Sequence, residues 1–229
     1  MPVQPSRKRP AKAGATPSVV PPAGLRADAR HNRERILEAA REAYAAHGID
    51  VPVTTIARRA GVGVATLYRR FPTRTALITE AFSEQLDSCV SALDDALLDP
   101  DPWRGLCTLI EKVCAMQATD RGFTAAFLSR FPDAVDFEDR RTHAEEGIAR
   151  LVRRAQDSGQ LRADFAPSDI TLLLVANCGV AGASPEVAAA ASRRLTGYLL
   201  QSFRAGSAAP LPPPAPLELN RIYQPPPGP

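Results

Sequence analysis

The sequence has few of the residues that form metal sites and disulfide scaffolds, and it lacks an apolar run long enough to span a membrane. Its 229 residues include three histidines and four cysteines. The histidines are far apart and form no recognisable metal motif. No two cysteines form a C-x-x-C pair, so the sequence does not indicate a disulfide framework. The most apolar stretch, from Ile170 to Val175, is far too short to cross a bilayer.

The sequence also lacks the signatures of an enzyme. It has no nucleophile elbow and no catalytic triad motif. Gly61-x-Gly63 begins like a dinucleotide-binding fingerprint, but no strand precedes it and Thr66 occupies the place of the third glycine. The first residues are basic and proline-rich, without the apolar region of a signal peptide. We therefore expect a cytoplasmic protein that is not an enzyme and needs no cofactor.

The charge of the chain is unevenly distributed. Residues 1–74 hold 14 Lys and Arg against 5 Asp and Glu, a net charge of +9, whereas residues 75–229 hold 14 against 20, a net charge of −6. A basic first third followed by an acidic remainder suggests an N-terminal unit that binds a polyanion. A solvated basic tail would explain the same numbers, so charge alone leaves both interpretations open.

Prolines divide the chain into a central part and two tails. Residues 1–24 contain six of the 22 prolines, and residues 210–229 contain nine. Both segments lack apolar periodicity, so we expect them to be disordered or extended. Four apolar side chains near the C-terminus are candidates for docking on the folded part: Leu217, Leu219, Ile222 and Tyr223.

In the central part, apolar residues recur at intervals of three and four, which predicts an all-α fold. Gly48 and Gly61 directly follow the first two apolar segments, as expected of helix ends that need a positive φ. Thr73 is placed to cap a long fourth helix, and Ser184 with Pro185 to start the last one. The nine predicted helices span residues 29–47, 52–60, 64–71, 73–97, 103–118, 122–131, 136–158, 168–182 and 185–205.

The most informative block is PVTTIARRAGVGVATLYRRFPTRTAL, residues 52–77. It predicts a short helix, a glycine turn, a second short helix and the start of a long one. Ala57 is small enough to let the short helices cross closely, and Gly61 can open the turn. The second helix presents hydroxyl, phenol and guanidinium groups, which bind phosphates and base edges. A generic helical hairpin would share this spacing.

The segment AGVGVATLYRRFPTRTALI resembles the DNA-binding unit of the TetR (tetracycline repressor) family of bacterial transcriptional regulators. The upstream helix RERILEAAREAYAAHG agrees with this, and the last helix, SRRLTGYLLQSF, resembles that of an actinobacterial subgroup. The resemblance implies a homodimer that places its third helices in the major groove of a near-palindromic operator. It divides the chain into a basic tail (1–27), a helix-turn-helix domain (28–74), a helical effector-binding and dimerisation domain (75–205) and a proline-rich tail (206–229).

By position, the resemblance assigns DNA contacts to nine residues. Tyr68 and Arg74 match phosphate-binding positions, whereas Arg69 and Arg70 match positions that bind either a phosphate or a base. Gly63 stands where many members have a capping serine or threonine, which leaves the register of the base contacts open. The nine residues are Thr54, Val64, Ala65, Thr66, Tyr68, Arg69, Arg70, Thr73 and Arg74.

The C-terminal domain would receive the regulatory signal. The candidate lining of a ligand cavity, which ordinary core packing explains equally well, consists of Leu106, Ile110, Val113, Met116, Gln117, Phe123, Phe127 and Phe131. Three arginines could bind a ligand carboxylate or simply be exposed: Arg121, Arg130 and Arg150. Two later helices suit a four-helix dimer interface, formed by Leu172, Ala176, Gly179, Leu195, Tyr198 and Leu199.

Together these features favour a repressor that a small molecule releases from its operator by shifting the population of two states. One alternative is a DNA-binding regulator controlled by a protein partner or by oxidation of cysteines such as Cys107 and Cys114, which share a helix face. A more remote alternative is a helical enzyme or interaction module. The expected partners are double-stranded DNA, an unidentified small molecule and a second copy of the chain, without a membrane.

Overall fold

The computed structural model describes residues 23–127, 129, 131, 134–182, 184–206 and 209–217. Within these residues the chain forms ten α-helices and no β-strand, which confirms the predicted all-α fold. A 3-10 helix, Gly179–Gly182, follows the ninth α-helix. The α-helices are α1 (Ala23–His47), α2 (Val53–Arg59), α3 (Val64–Arg70), α4 (Arg74–Ala81), α5 (Ser83–Leu98), α6 (Pro102–Thr119), α7 (Arg121–Phe127), α8 (Val135–Asp157), α9 (Pro167–Cys178) and α10 (Pro185–Phe203).

Helix α1 is the centre of the N-terminal part and packs against α2, α4 and α7. Its buried face carries Ile36, Ala40, Ala43 and Tyr44, all without solvent exposure. These residues recur at three- and four-residue intervals, so their burial follows from the sequence pattern. The helix ends at His47, and Gly48 follows with a φ of +76° as predicted.

The predicted long fourth helix is wrong in one respect, because it is broken in two at Phe82. This residue has a φ of −110° and a ψ of 11°, and it separates α4 from α5. Its ring is fully buried between Tyr44 and Phe123, with ring centroids 5.8 and 6.1 Å away. Next to the break, the Ser83 hydroxyl donates to the Glu80 carbonyl at 3.0 Å. Apolar residues recur at helical spacing through both α4 and α5, so the sequence pattern gave no sign of the break. With this break, the described residues form ten α-helices instead of the nine predicted.

Other helix ends differ by smaller amounts. Helix α7 ends at Phe127, before the predicted limit of residue 131, and the last turn of the predicted helix 168–182 is 3-10 rather than α. Ser184 occupies the position before α10, but its side chain makes no capping hydrogen bond. Thr73 does cap α4, since its hydroxyl accepts a hydrogen bond from the Ala76 N–H at 3.0 Å.

In the C-terminal part, α6 packs against α5, α8, α9 and α10, and α5 also packs against α8. The core between them continues without interruption into the N-terminal part. The cavity described below lies among these helices. None of the described helices is long and apolar enough to cross a membrane.

The described part of the segment after α10, up to residue 217, contains no helix or strand, and it is fastened to the domain. Arg162 donates to the Ala209 carbonyl at 2.8 Å, and the Leu211 N–H donates to the Asp164 carboxylate at 2.8 Å. Residues 211–215 then lie beside α9 and α10. The N-terminal arm and Leu219, Ile222 and Tyr223 lie outside the described residues.

Candidate DNA-binding surface and effector cavity

A tight glycine turn sets the geometry of α2 and α3. Gly61 has a φ of +65°, and a Cβ there would lie 2.6 Å from Nη2 of Arg35. That nitrogen donates to the Ala60 carbonyl at 2.6 Å, and the Val62 N–H donates to the Ala57 carbonyl at 3.0 Å. The positive φ of the turn therefore favours glycine, as predicted, and a Cβ there would in addition displace the end of the Arg35 side chain.

The outer face of α3 carries the residues assigned to base and phosphate contacts. Val64 and Tyr68 are 37% and 44% exposed, so both side chains are accessible on this face. Thr66 is half-buried and accepts a hydrogen bond from Arg69 Nη2 at 2.9 Å, which orders that guanidinium on the helix surface. Four further assigned residues are also exposed, namely Thr54, Ala65, Arg70 and Thr73.

The start of α3 has only backbone hydrogen bonds to hold it. Gly63 is the N-cap residue and offers no side-chain cap. Its carbonyl accepts from the N–H groups of Thr66 and Leu67 at 2.9 and 3.1 Å. A glycine cap is weaker than serine by a few tenths of a kcal/mol, so the first turn of α3 is less firmly held than in a helix with a serine or threonine cap.

Arg74 lies at the start of α4, but its guanidinium already has partners. It forms an ion pair with Asp50 at 2.8 Å and donates to the carbonyl of Ile49. Arg74 therefore ties α4 to the loop between α1 and α2. Its side chain is 44% exposed, so a phosphate can reach the guanidinium only by sharing it or by replacing Asp50.

An apolar cavity lies among α5, α6, α8 and α9. Its described lining comes from these helices and from Phe127 at the end of α7. The cavity volume is about 40 Å³, close to the space of a single water molecule and well below the ~300 Å³ of a typical ligand site. The lining residues are Leu86, Cys89, Val90, Leu93, Leu109, Ile110, Val113, Phe127, Phe137, Arg141, Ala144, Ile148, Ile170 and Leu174.

Three of the eight predicted pocket residues line this cavity, namely Ile110, Val113 and Phe127. The other five are not among its described lining residues: Leu106, Met116, Gln117, Phe123 and Phe131. Phe131 packs edge-on against Phe137, with centroids 5.4 Å apart. The prediction missed the contributions of α5 and α8, although both helices carry an apolar face that periodicity can detect.

Gln117 belongs instead to a buried polar cluster between α6, α9 and α10. Asn177 donates to Gln117 Oε1 at 3.2 Å and to the Cys114 carbonyl at 3.0 Å. The Ser192 hydroxyl donates to the same carbonyl at 3.2 Å. These hydrogen bonds join three helices, and Gln117 is fully buried among them.

Arg141 is the charged member of the described cavity lining, and its side chain is only 7% exposed. Its Nη2 donates to the carbonyls of Phe127 and Ser129 at 2.7 and 2.6 Å. Its guanidinium also lies 5.7 Å from the ring centroid of Phe137. The sequence does not single out Arg141, because its burial depends on contacts of α8 with the end of α7.

Of the arginines proposed for a ligand carboxylate, only the side chain of Arg150 is described, and it is not among the described lining residues of this cavity. Arg150 is exposed on α8. Arg130 lies outside the described residues, and the side chain of Arg121 is likewise not described.

A chain of aromatic rings connects the cavity to the helix-turn-helix part. Phe127 contacts Phe123, Phe123 contacts Phe82, and Phe82 contacts Tyr44, with centroids 5.7, 6.1 and 5.8 Å apart. Helix α7 also touches α1 directly, since a Cβ on Gly122 would lie 2.7 Å from Cβ of Tyr44. Burial raises the pKa of the Tyr44 phenol above its usual range, so this residue stays uncharged.

The cysteines are poorly suited to redox sensing. Burial raises the pKa of the Cys89, Cys107 and Cys114 thiols to about 11 each. The reactive thiolate is therefore scarce at neutral pH. Among the described residues, no group of three or more His, Cys, Asp or Glu side chains is placed to hold a metal ion.

The predicted dimer residues lie on α9 and α10 and on the 3-10 helix between them. Leu172 is 50% exposed and Tyr198 is 56% exposed, and the neighbouring Val187 is 56% exposed. Ala176 and Gly179 are also exposed, and Leu195 and Leu199 are half-buried. This apolar face, here called the α9–α10 face, is accessible in the single chain.

Known families match both parts of the chain. Residues 36–81 match the family model of the bacterial regulatory proteins of the tetR family, and residues 101–202 match that of the SbtR-like transcriptional regulator C-terminal domain. A TetR transcription regulatory protein from Mycobacterium vanbaalenii is 30% identical, with 79% of this chain and 99% of that chain covered and a TM-score of 0.48. The chain belongs to the TetR family. It is therefore a DNA-binding transcriptional regulator and not an enzyme.

Two further structures share the TetR fold at lower identity. The ketosteroid transcriptional regulator KstR2 of Mycobacterium tuberculosis is 18% identical, with 75% of this chain and 94% of that chain covered and a TM-score of 0.60. The TetR-family regulator PfmR from Thermus thermophilus is 23% identical, with 72% of this chain and 95% of that chain covered and a TM-score of 0.55. No curated protein matches the chain.

Proposed function

We propose that this TetR-family protein is a homodimeric repressor that leaves its operator when a small molecule occupies the apolar cavity. The two α3 helices of the dimer would enter successive major grooves. The α9–α10 faces of the two subunits would pack together into a four-helix interface. The proposed DNA contact is supported by the exposed side chains of α3, and the proposed dimer contact by those of the α9–α10 face.

The observation that carries the regulatory part is the aromatic chain from Phe127 to Tyr44. Phe127 lines the cavity, and Tyr44 lies on α1 beside α2. Close-packed interiors transmit displacements because they contain few voids. A ligand that moves Phe127 therefore moves rings that contact both α1 and the break between α4 and α5. Such a movement changes the spacing of the two α3 helices in a dimer.

The cavity is small for a ligand, at about 40 Å³. A ligand of ordinary size has to widen the cavity, and widening displaces α7 or α8. The ligand then favours the widened state by its difference in affinity for the two states. By reciprocity, operator DNA must weaken ligand binding by the same factor.

The same small volume also favours a second candidate, a regulator without a small-molecule effector. In that case the cavity is a packing defect and a protein partner controls DNA binding. The cysteine-oxidation variant of this hypothesis is opposed by the raised thiol pKa values. Equal ligand affinity with and without saturating operator would support the second candidate against the first.

The first experiment is a salt titration of DNA binding. The full chain is titrated by fluorescence anisotropy into a duplex from upstream of its own gene and into a scrambled duplex. We expect tight binding to the first and a footprint over two half-sites about one helical turn apart. Equal and weak binding to both duplexes, fading steeply with salt, would reduce the role of this surface to nonspecific charge.

A further inference from the structure

The cavity among α5, α6, α8 and α9 presents hydrocarbon side chains on nearly all of its described wall. The two other described lining residues are Cys89 and Arg141, of which Arg141 carries a charge. Burial raises the pKa of the Cys89 thiol to about 11, so this group stays protonated and behaves as a small apolar side chain. The chemistry that the cavity offers to a ligand therefore depends on whether Arg141 is available.

Arg141 is engaged by several protein groups at once. Its Nε lies 3.7 Å from the carboxylate of Glu138, one turn earlier on α8. Its Nη2 donates to the carbonyls of Phe127 and Ser129 at 2.7 and 2.6 Å. The guanidinium also lies 6.0 and 5.7 Å from the ring centroids of Phe127 and Phe137. Because these contacts replace the hydration of the guanidinium, its burial needs no charged ligand.

A polar ligand therefore loses free energy in this cavity. A hydroxyl or carboxylate group that leaves water has to find hydrogen-bond partners in the protein, and an unpaired polar group weakens binding. To reach Arg141, an acid would have to replace the Glu138 carboxylate and two carbonyls. A hydrocarbon gives up no hydrogen bonds, and it gains contact with branched aliphatic side chains and two aromatic rings.

We infer that the ligand of this cavity, and hence the effector under the proposed function, is a neutral, apolar molecule. The inference rests on the proposed function, which makes the cavity the effector site. The molecule is selected by its shape and its apolar surface, without a charge or a hydrogen-bonding group. Dry apolar cavities in proteins bind molecules of this class, among them benzene and xenon.

A larger groove elsewhere is less suited to such a molecule. It lies between α9, α10 and residues 211–215 and has a volume of about 360 Å³. The carboxylates of Asp164 and Asp169 line it, and so do Leu172 and Leu199, which are assigned to the proposed dimer interface. Binding there can be recognised, because no isoleucine is among the described lining residues of this groove.

The test compares three molecules of similar shape. p-Xylene, p-cresol and p-toluate share a methylated ring and differ in carrying a second methyl group, a hydroxyl group or a carboxylate. Each is titrated into the full chain by calorimetry, and NMR spectra of the isoleucine δ1-methyl groups locate the bound molecule. We expect p-xylene to shift the resonances of Ile110, Ile148 and Ile170, which line the cavity. It should bind about 10- to 100-fold more tightly than p-cresol, whose hydroxyl stays unpaired, and p-toluate should show no measurable binding.

A variant that fills the cavity locates the site independently. Ala144→Leu should weaken p-xylene binding by about 10-fold or more, because the longer side chain occupies the cavity. Ala149→Leu is the matched control, since it makes the same substitution at a half-buried residue of the same helix that is not among the described lining residues. The comparison of the three molecules uses the wild-type chain, so it remains a test if Ala144→Leu fails to fold.

Three results would overturn the inference: p-cresol or p-toluate binding as tightly as p-xylene, shifts confined to isoleucines outside the cavity, or no binding of p-xylene. Operator affinity, measured by anisotropy with and without saturating p-xylene, tests the proposed function separately. If p-xylene binds with the expected selectivity but leaves operator affinity unchanged, the class of ligand is confirmed and the regulatory role of the cavity is wrong.

Discussion

Gly61 is the residue on which the helix-turn-helix depends most directly. Its φ of +65° costs a residue with a Cβ about 1–2 kcal/mol. The nearest atom to such a Cβ, Nη2 of Arg35 at 2.6 Å, holds the Ala60 carbonyl at the end of α2. The same position therefore combines a backbone requirement with a steric one.

We predict that Gly61→Ala destabilises the protein by more than the φ penalty alone. Gly159 is the matched control because its φ is +73° and no atom lies within 4 Å of a Cβ built there. Gly159→Ala should cost about 1 kcal/mol and Gly61→Ala about 2 kcal/mol or more in urea unfolding. Equal losses would mean that the Arg35 side chain moves aside freely.

The arginines in and next to α3 fall into two groups, one expected to contact only phosphate and one that can also read bases. DNA-binding measurements can distinguish the two groups. Arg74→Ala should weaken binding to every duplex and reduce the slope of log affinity against log salt by about one unit, as loss of one phosphate contact does. Arg69→Ala or Arg70→Ala should instead relax the preference at particular base pairs, if either reads a base. The measurement is anisotropy on a set of operators with single base changes at several salt concentrations.

Asp50→Ala is the control for Arg74. It removes the ion pair of 2.8 Å but leaves the guanidinium in place. Operator affinity should then persist or rise, because the guanidinium no longer has to exchange Asp50 for a phosphate. If Asp50→Ala weakens DNA binding as much as Arg74→Ala does, then Arg74 acts by holding the α1–α2 loop and not by contacting DNA.

At the scale of elements, the extended segment after α10 depends on one carboxylate. Hydrogen bonds from the Arg162 guanidinium and from the Leu211 N–H hold the pKa of Asp164 below its usual range. A lowered pKa in the folded state stabilises docking above the ordinary aspartate pKa of about 4. That contribution declines as the pH falls below about 4 and is lost only when the pH falls through the lowered pKa of the docked carboxyl.

We therefore predict that the segment detaches in acid, before or together with unfolding of the domain. The Leu211 amide resonance should keep its position down to about pH 4 and shift only in more acid solution, and Asp164→Asn should show the detached position already at pH 7. Asp157→Asn, an exposed carboxyl at the end of α8, is the control and should change nothing at neutral pH. A Leu211 resonance that is identical in Asp164→Asn and in the wild type would contradict this prediction.

The helix ends that were predicted correctly from the sequence are those where one residue has a specific backbone or capping preference. Gly48, Gly61 and Thr73 mark helix ends by their own backbone and side-chain chemistry, and all three act there as expected. The break at Phe82 has no local signal, because it follows from the rings of Tyr44 and Phe123, which are distant in sequence.

The same distinction applies to the candidate site. The exposed face of α3 could be assigned from helical spacing, because it needs only the direction of side chains on one helix. The burial of Arg141 depends on its contacts with carbonyls 12 and 14 residues away, which form only when the helices pack. Only packing reveals such a group, so the sequence offered three other arginines in its place.

At the scale of the whole molecule, the proposed operator recognition requires two subunits, and the α9–α10 face is the surface proposed to join them. Leu172 and Tyr198 are half exposed, on two adjacent helices, in a chain whose other large apolar residues are mostly buried. In a twofold interface each position occurs twice, so one substitution introduces two changes. A charged residue substituted on this face is therefore buried next to the same charged residue of the second subunit.

We predict that Leu172→Glu and Tyr198→Glu each convert the dimer into a monomer while leaving the helical content unchanged. The monomer would retain one α3 helix and bind a single half-site, so operator affinity should fall by at least about 100-fold, since one of two linked contacts is lost. Leu98→Glu is the control, because Leu98 is 82% exposed at the end of α5 and should tolerate the charge. Sedimentation velocity gives the oligomeric state and anisotropy the affinity. If both variants remain dimeric, the subunits associate through another surface and the α9–α10 face must have a different partner.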